Sequence, residues 1–129
     1  MEIRIEIKET NLNLLSLLQE TEETRTEAFY HCVESLSLNN EHIEFLKVTT
    51  QNTVYIFARQ GNDNTALSIW QVLSGRQDII GKTVHLFCAS EGNKFEQLSK
   101  GDHLGIYLID DPKSLPRYTS EVSDLAVVF

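Results

Sequence analysis

The sequence predicts an α+β domain in which an antiparallel sheet of several strands carries N-terminal helices packed on one face. Three observations lead there. The half of the chain from Asn52 on contains strand-sized apolar runs at 53–59, 65–72, 82–89 and 103–110, separated by polar turns. Ahead of them, two stretches repeat apolar residues at helical spacing. The chain has 129 residues, 41% apolar and 23% charged, a balance suited to one folded domain over 1–129 that needs no disulfide or metal.

Ile3, Ile5 and Ile7 alternate with Glu2, Arg4, Glu6 and Lys8, the pattern of a half-buried strand. Thr10 and Asn11 supply a turn or N-cap, after which Leu12, Leu14, Leu15, Leu17 and Leu18 form a compact helical stripe. Beyond the acidic, threonine-rich stretch 20–26, Ala28, Phe29, Cys32, Val33 and Leu36 recur as the apolar face of a second helix. Asn39-Asn40 ends it, asparagine being able to take the left-handed conformation common at helix C-termini.

Strands follow. Ile43, Phe45, Leu46 and Val48 make one run, and Val54-Tyr55-Ile56-Phe57 makes the next, apolar on both sides as in mid-sheet. Gln60-Gly61-Asn62-Asp63-Asn64 is the strongest turn signal, since glycine, asparagine and aspartate tolerate positive φ and bond their own backbone. The loop 74–78, the strand 82–89 and the turn 90–93 come next, then a short helical turn around Phe95 and Leu98. Asp110-Asp111-Pro112 stops the strand 103–110, because proline offers no ladder donor. Residues 115–123 read as irregular, and Leu125–Phe129 as a last edge strand.

Chemistry is sparse. His31, His42, His85 and His103 show no metal-ligand spacing, and no phosphate-binding loop, dinucleotide fingerprint or nucleophile elbow is present. The sequence therefore implies no catalytic residue, no metal and no cofactor, and a protein that is more a binder than an enzyme. Cys32 and Cys88 read as core residues, as does Trp70. A net charge of −8, with eleven basic residues placed singly, excludes nucleic-acid phosphate as the expected partner and suits a basic protein. The carboxylates available to such a partner are Glu20, Glu22, Glu23 and Glu27 on a helix surface, with Asp63, Glu91, Asp110 and Asp111 in loops. The charged start of the chain is unlike a secretory leader, and no run approaches the roughly 20 apolar residues a membrane helix needs. The expectation is a cytoplasmic protein without a membrane partner.

Tyr55–Trp70, with Phe57-Ala58, the turn Gly61-Asn62-Asp63-Asn64 and the strand ending in Ile69-Trp70, followed by Gly81-Lys82-Thr83-Val84-His85-Leu86-Phe87, resembles the central hairpin and next strand of SUKH-type proteins. The resemblance covers residues 54–87; the family's N-terminal helix with its proline and the Gly-Gly that often follows have no counterpart here. It implies a non-enzymatic, acidic α+β module, commonly an immunity protein that neutralises a bacterial toxin, and assigns no individual binding residue. Two other readings stand beside it. One is a small hydrolase or transferase using Asp63, His85, Glu91 and Asp110; the other is a homodimeric structural or regulatory subunit pairing through the apolar edge Val127–Phe129.

Overall fold

A computed structural model describes residues 30–90 and 96–129. By its contacts the chain divides after Tyr30, and the architecture belongs to the second unit, His31–Phe129. Nine strands follow one another: β1 (His31–Val33), β2 (Ser35–Ser37), β3 (Phe45–Thr50), β4 (Val54–Asn62), β5 (Ser68–Ser74), β6 (Thr83–Cys88), β7 (Gln97–Ser99), β8 (His103–Leu108) and β9 (Arg117–Val128). Among the described residues there is no helix. Six strands, β3, β4, β5, β6, β8 and β9, pair antiparallel in chain order, and β9 then returns to pair with β3, which closes a barrel. β1 extends β9 beyond the end of β8, and β2 pairs with β7 as a separate small ribbon.

The α+β expectation is thus corrected to all-β. A sheet with one apolar face needs cover, and helices were the expected cover; here the sheet curls until its apolar face covers itself. The alternation of each strand sends one set of side chains inside: Leu46 and Val48, Tyr55 and Phe57, Trp70 and Val72, Val84, Leu86 and Cys88, then Leu104, Ile106 and Leu108. Val122, Leu125 and Val127 from β9 complete the interior. An eight-stranded barrel is about wide enough for side chains to fill, so six strands around Trp70 and Phe57 leave a packed core.

The second helix expected from Ala28 to Leu36 is also corrected, where the structure describes it. His31, Cys32 and Val33 pair with Val127, Ala126 and Leu125, and Leu36 pairs with Leu98. Val33 and Leu36 still pack on the core, but as strand residues, and Cys32 is exposed while Cys88 is buried. Pairing with a neighbouring strand outweighs a helical spacing carried by so few residues. The strand expected at 2–8 and the leucine stripe at 12–18 lie outside the described residues. The short helical turn expected near Leu98 is β7.

β9, expected as an irregular stretch followed by an edge strand, also departs from that reading. It is one strand of 12 residues, paired on both sides. Two bulges bend it to fit. Against β3, Asp124 faces Thr49 while Val122 faces Thr50, so Ser123 is an extra residue, and its hydroxyl donates to the Thr49 carbonyl at 3.2 Å. Against β8, Glu121 faces His103 while Tyr118 faces Gly105, which leaves one residue over near Thr119. The buried Thr119 hydroxyl repairs that ladder by accepting from the Leu104 amide at 3.0 Å. On the outer wall Phe87 lies over Gly105, where a Cβ would meet its ring at 2.2 Å, and meets Tyr118 edge-on at 6.0 Å. Aromatic cover of a strand glycine is a known device for sealing a curved sheet.

Candidate functional site

Antiparallel strands in chain order send their turns alternately to the two rims of the barrel. The first rim carries the connections 51–53, 75–82 and 109–116. The second carries the turn 63–67, the segment 38–44 entering β3, and the connection that holds β7. This placement separates the loop carboxylates that the sequence nominates. Asp63 stands on the second rim, whereas Asp110 and Asp111 stand on the first, so they do not form one patch. Glu20, Glu22, Glu23, Glu27 and Glu91 lie outside the described residues.

Asp63 is the best-connected of these side chains. Its Oδ1 accepts from the Thr65 amide at 2.8 Å, the Thr65 hydroxyl at 2.7 Å and the Leu67 amide at 3.1 Å, which folds the turn around it. Its Oδ2 lies 3.0 Å from His85 Nε2. The other ring nitrogen, Nδ1, is 3.0 Å from the Ser68 carbonyl. Both nitrogens of the ring are thus taken up by contacts within the chain, one to a carboxylate and one to a backbone carbonyl. Sequence reasoning named Asp63 and His85 as members of a dispersed set without seeing that they meet. A turn aspartate and a strand histidine 22 positions apart carry no local signal that they do.

The pair does not amount to a catalytic dyad. Both imidazole nitrogens are engaged, which leaves none to take a proton from a substrate. Asp110, the other described member of the set, accepts from the Thr83 hydroxyl at 3.1 Å near the first rim. Asp102 and His103, adjacent in sequence, also part company: Asp102 receives the Ser99 amide at 2.8 Å, while His103 Nδ1 faces the Thr119 carbonyl at 3.0 Å. Among the described residues no group of three or more His, Cys, Asp or Glu side chains gathers to hold a metal.

The Thr65 hydroxyl holds Asp63 below the ordinary carboxylate value of 3.8; partial burial works the other way, and the Thr65 and Leu67 amides and the charge of His85 add to the lowering. A depressed carboxylate contributes stability in full above its unfolded value and loses it as the pH falls through the folded one. Urea midpoints of wild type and Asp63→Asn, measured from neutral pH into acid, are therefore expected to differ by a constant amount until the pH drops below 3.8. They then converge; a gap unchanged in strong acid would contradict this.

The first rim has a different character. Val54, Ile80 and Leu115 are three of the five large apolar residues that the described surface exposes, and all three belong to this rim. Leu115 is 82% exposed, in the same connection as Asp110 and Asp111. Arg117 ties this connection to the neighbouring one: its Nε lies 3.4 Å from Asp78 Oδ2, and its Nη1 donates to the Ser114 hydroxyl at 2.6 Å and the Leu115 carbonyl at 3.0 Å. Arg76 also reaches Asp78 at 3.4 Å. Nothing in the residue pattern singles out Leu115 or Ile80, because a lone apolar residue in a loop is ordinary until the fold shows its neighbours.

The apolar edge Val127–Phe129 that suggested a homodimer is largely used within the chain, since Val127 pairs with both His31 and Leu46. Among the described residues no helix is long and apolar enough to cross a membrane. No family model, curated protein or solved structure matches the chain.

Proposed function

We propose that the protein is a non-enzymatic binding module that recognises a protein partner with the first rim of its barrel, in the manner of an immunity protein or inhibitor directed at a basic toxin or nuclease. The observation that carries this reading is the gathering of Val54, Ile80 and Leu115 at one rim of a barrel whose interior is filled. With the barrel's inside closed to a ligand, recognition falls to the outside. Apolar anchors set among polar residues are what a protein interface uses for affinity. Asp110 and Asp111 stand beside Leu115 as contacts for a cationic side chain, and the net charge of −8 steers a basic partner toward the molecule. The likeness of residues 54–87 to SUKH-type proteins lends the immunity role a sequence argument alone, since the all-β barrel departs from the α+β module that the likeness implies.

The test is co-purification from the native host with wild type and with Ile80→Asp/Leu115→Asp, two exposed positions whose change leaves the unfolding midpoint near wild type. A basic protein retained by the wild type and lost by the variant is the expected result. Retention that ignores both substitutions, or no basic protein at micromolar concentration, counts against the proposal.

A further inference from the structure

One ladder of the barrel is incomplete. β5 pairs with β4 from Ser74 to Ser68, yet its register with β6 consists of Trp70 with Val84 and Gln71 with Thr83. β6 runs on through His85, Leu86, Phe87 and Cys88, each matched on its other side by β8. Toward the second rim, then, β5 and β6 diverge, and side chains do what a ladder does elsewhere. The Ser68 amide donates to Asn39 Oδ1 at 3.2 Å, its carbonyl receives His85 Nδ1 at 3.0 Å, and its hydroxyl receives Arg59 Nε at 3.3 Å. His85 then holds Asp63, and through it the whole turn 63–67, at 3.0 Å. Trp70 on β5 and Leu86 and Cys88 on β6, the two strands of this seam, all belong to the buried core.

We infer that the β5–β6 seam is where the barrel opens, and that Asp63, His85 and the Ser68 carbonyl form the latch that keeps it shut. Opening frees the turn 63–67 and the start of β5 from β6 without breaking the remaining ladders. It exposes Cys88, and it loosens Trp70, whose pairing with Val84 is the last rung before the gap. The latch is polar and lies at a rim, and opening there breaks side-chain contacts rather than ladder bonds, so the free energy of this opening is well below that of global unfolding. The turn 63–67 is a strap that one imidazole closes.

The chain carries its own reporters. Cys32 is exposed and Cys88 buried, and they are the two cysteines of the sequence. In a Cys32→Ser background, the rate at which a disulfide reagent such as DTNB modifies Cys88 reads the opening directly. The expected rate rises only weakly with urea at low concentration, where seam opening uncovers little surface, and turns steep where global unfolding takes over. Adding His85→Leu, which keeps bulk and removes both ring contacts, is expected to raise the low-urea rate at least about tenfold. Val48→Ala, in the core on β3, is expected to lower the unfolding midpoint and leave the low-urea rate alone. A Cys88 rate that climbs from the outset with the full slope of global unfolding in the Cys32→Ser protein overturns the inference, as does a His85→Leu rate equal to the parent's. Because the urea profile of the parent protein decides the question by itself, the test survives a failure of His85→Leu to fold.

Discussion

Replacing Trp70 with alanine is expected to lower stability by about 3–5 kcal/mol, the range for truncating a buried large aromatic residue. Trp70 is fully buried and projects into the barrel from β5, between Arg59 on β4 and Val84 on β6. The cost of such a truncation depends on how far the surroundings can collapse into the space left behind. Most of the wall here is set by hydrogen-bonded ladders that fix its radius, so the neighbouring side chains can close in only slightly. The expected cost accordingly lies toward the upper end of the range. Against the roughly 5–15 kcal/mol that stabilises an ordinary domain, that is a large share. It corresponds to a fall in midpoint temperature of about 10–20 °C for a chain of this size. Urea denaturation followed by circular dichroism should show a lower midpoint with an unchanged slope. Leu115→Ala, at an exposed position, should stay within about 0.5 kcal/mol of wild type. A loss at Trp70 of under about 1 kcal/mol would mean that the interior is not packed around it.

The second large effect is expected at Gly75. Its φ is +143°, a region in which side chains are strained, and a Cβ there would stand 2.5 Å from Cδ1 of the Tyr55 ring. That ring has little freedom to yield, because it is buried and stacked on Phe57 at 5.9 Å with the planes 3° apart. Burial also pushes the Tyr55 phenol above its ordinary 10.0, opposed by the charge of Arg76 and a hydrogen bond with Thr53. Gly61 provides a matched control, with the same φ of +143° and nothing within 4 Å of an added Cβ. Gly61→Ala should therefore cost only the backbone strain, about 1–3 kcal/mol. Gly75→Ala should cost that strain plus an overpacking penalty of about 1–3 kcal/mol. Any gain from stiffening the unfolded chain applies to both and cancels in the comparison. In a Tyr55→Leu background the two alanine substitutions should become nearly equal. Equal costs in the wild-type background would show that Tyr55 yields freely.

Much of the wall was legible in the sequence, strand by strand. A turn does separate β4 from β5, but it spans 63–67, and Gly61 and Asn62, expected within it, still pair with Ile69 and Ser68 as the end of β4; the alternation of Leu104, Ile106 and Leu108 marks β8. Closure was not legible, since alternation says which face of a strand is apolar and nothing about what covers it. β9 hid for a related reason. Its bulge at Ser123 sets Val122 and Leu125 three positions apart although both face the core, and a reading that looks for every second residue breaks there. The segment from His31 to Leu36 misled in the opposite direction, because a few apolar residues at helical spacing also satisfy two short strands once partners are present. At the site, the charges of Asp63, Asp110 and Asp111 could be read, but their distribution over two rims follows from the order of the turns. The meeting of Asp63 with His85 depends on the divergence of β5 from β6, which no local pattern records.

The pairing of β3 with β9 joins Phe45 to Val128 and Thr50 to Val122, partners more than 70 positions apart. Non-local contacts of this kind slow folding, and two-state proteins dominated by them take milliseconds to seconds. During synthesis the N-terminal strands of the meander emerge long before β9 exists, so β3 waits with one row of backbone donors and acceptors bare. Such an edge invites association with other chains. The strand that closes the barrel is therefore the last of its six to be made, and the yield of native protein will depend on how well nascent chains are kept apart until it arrives.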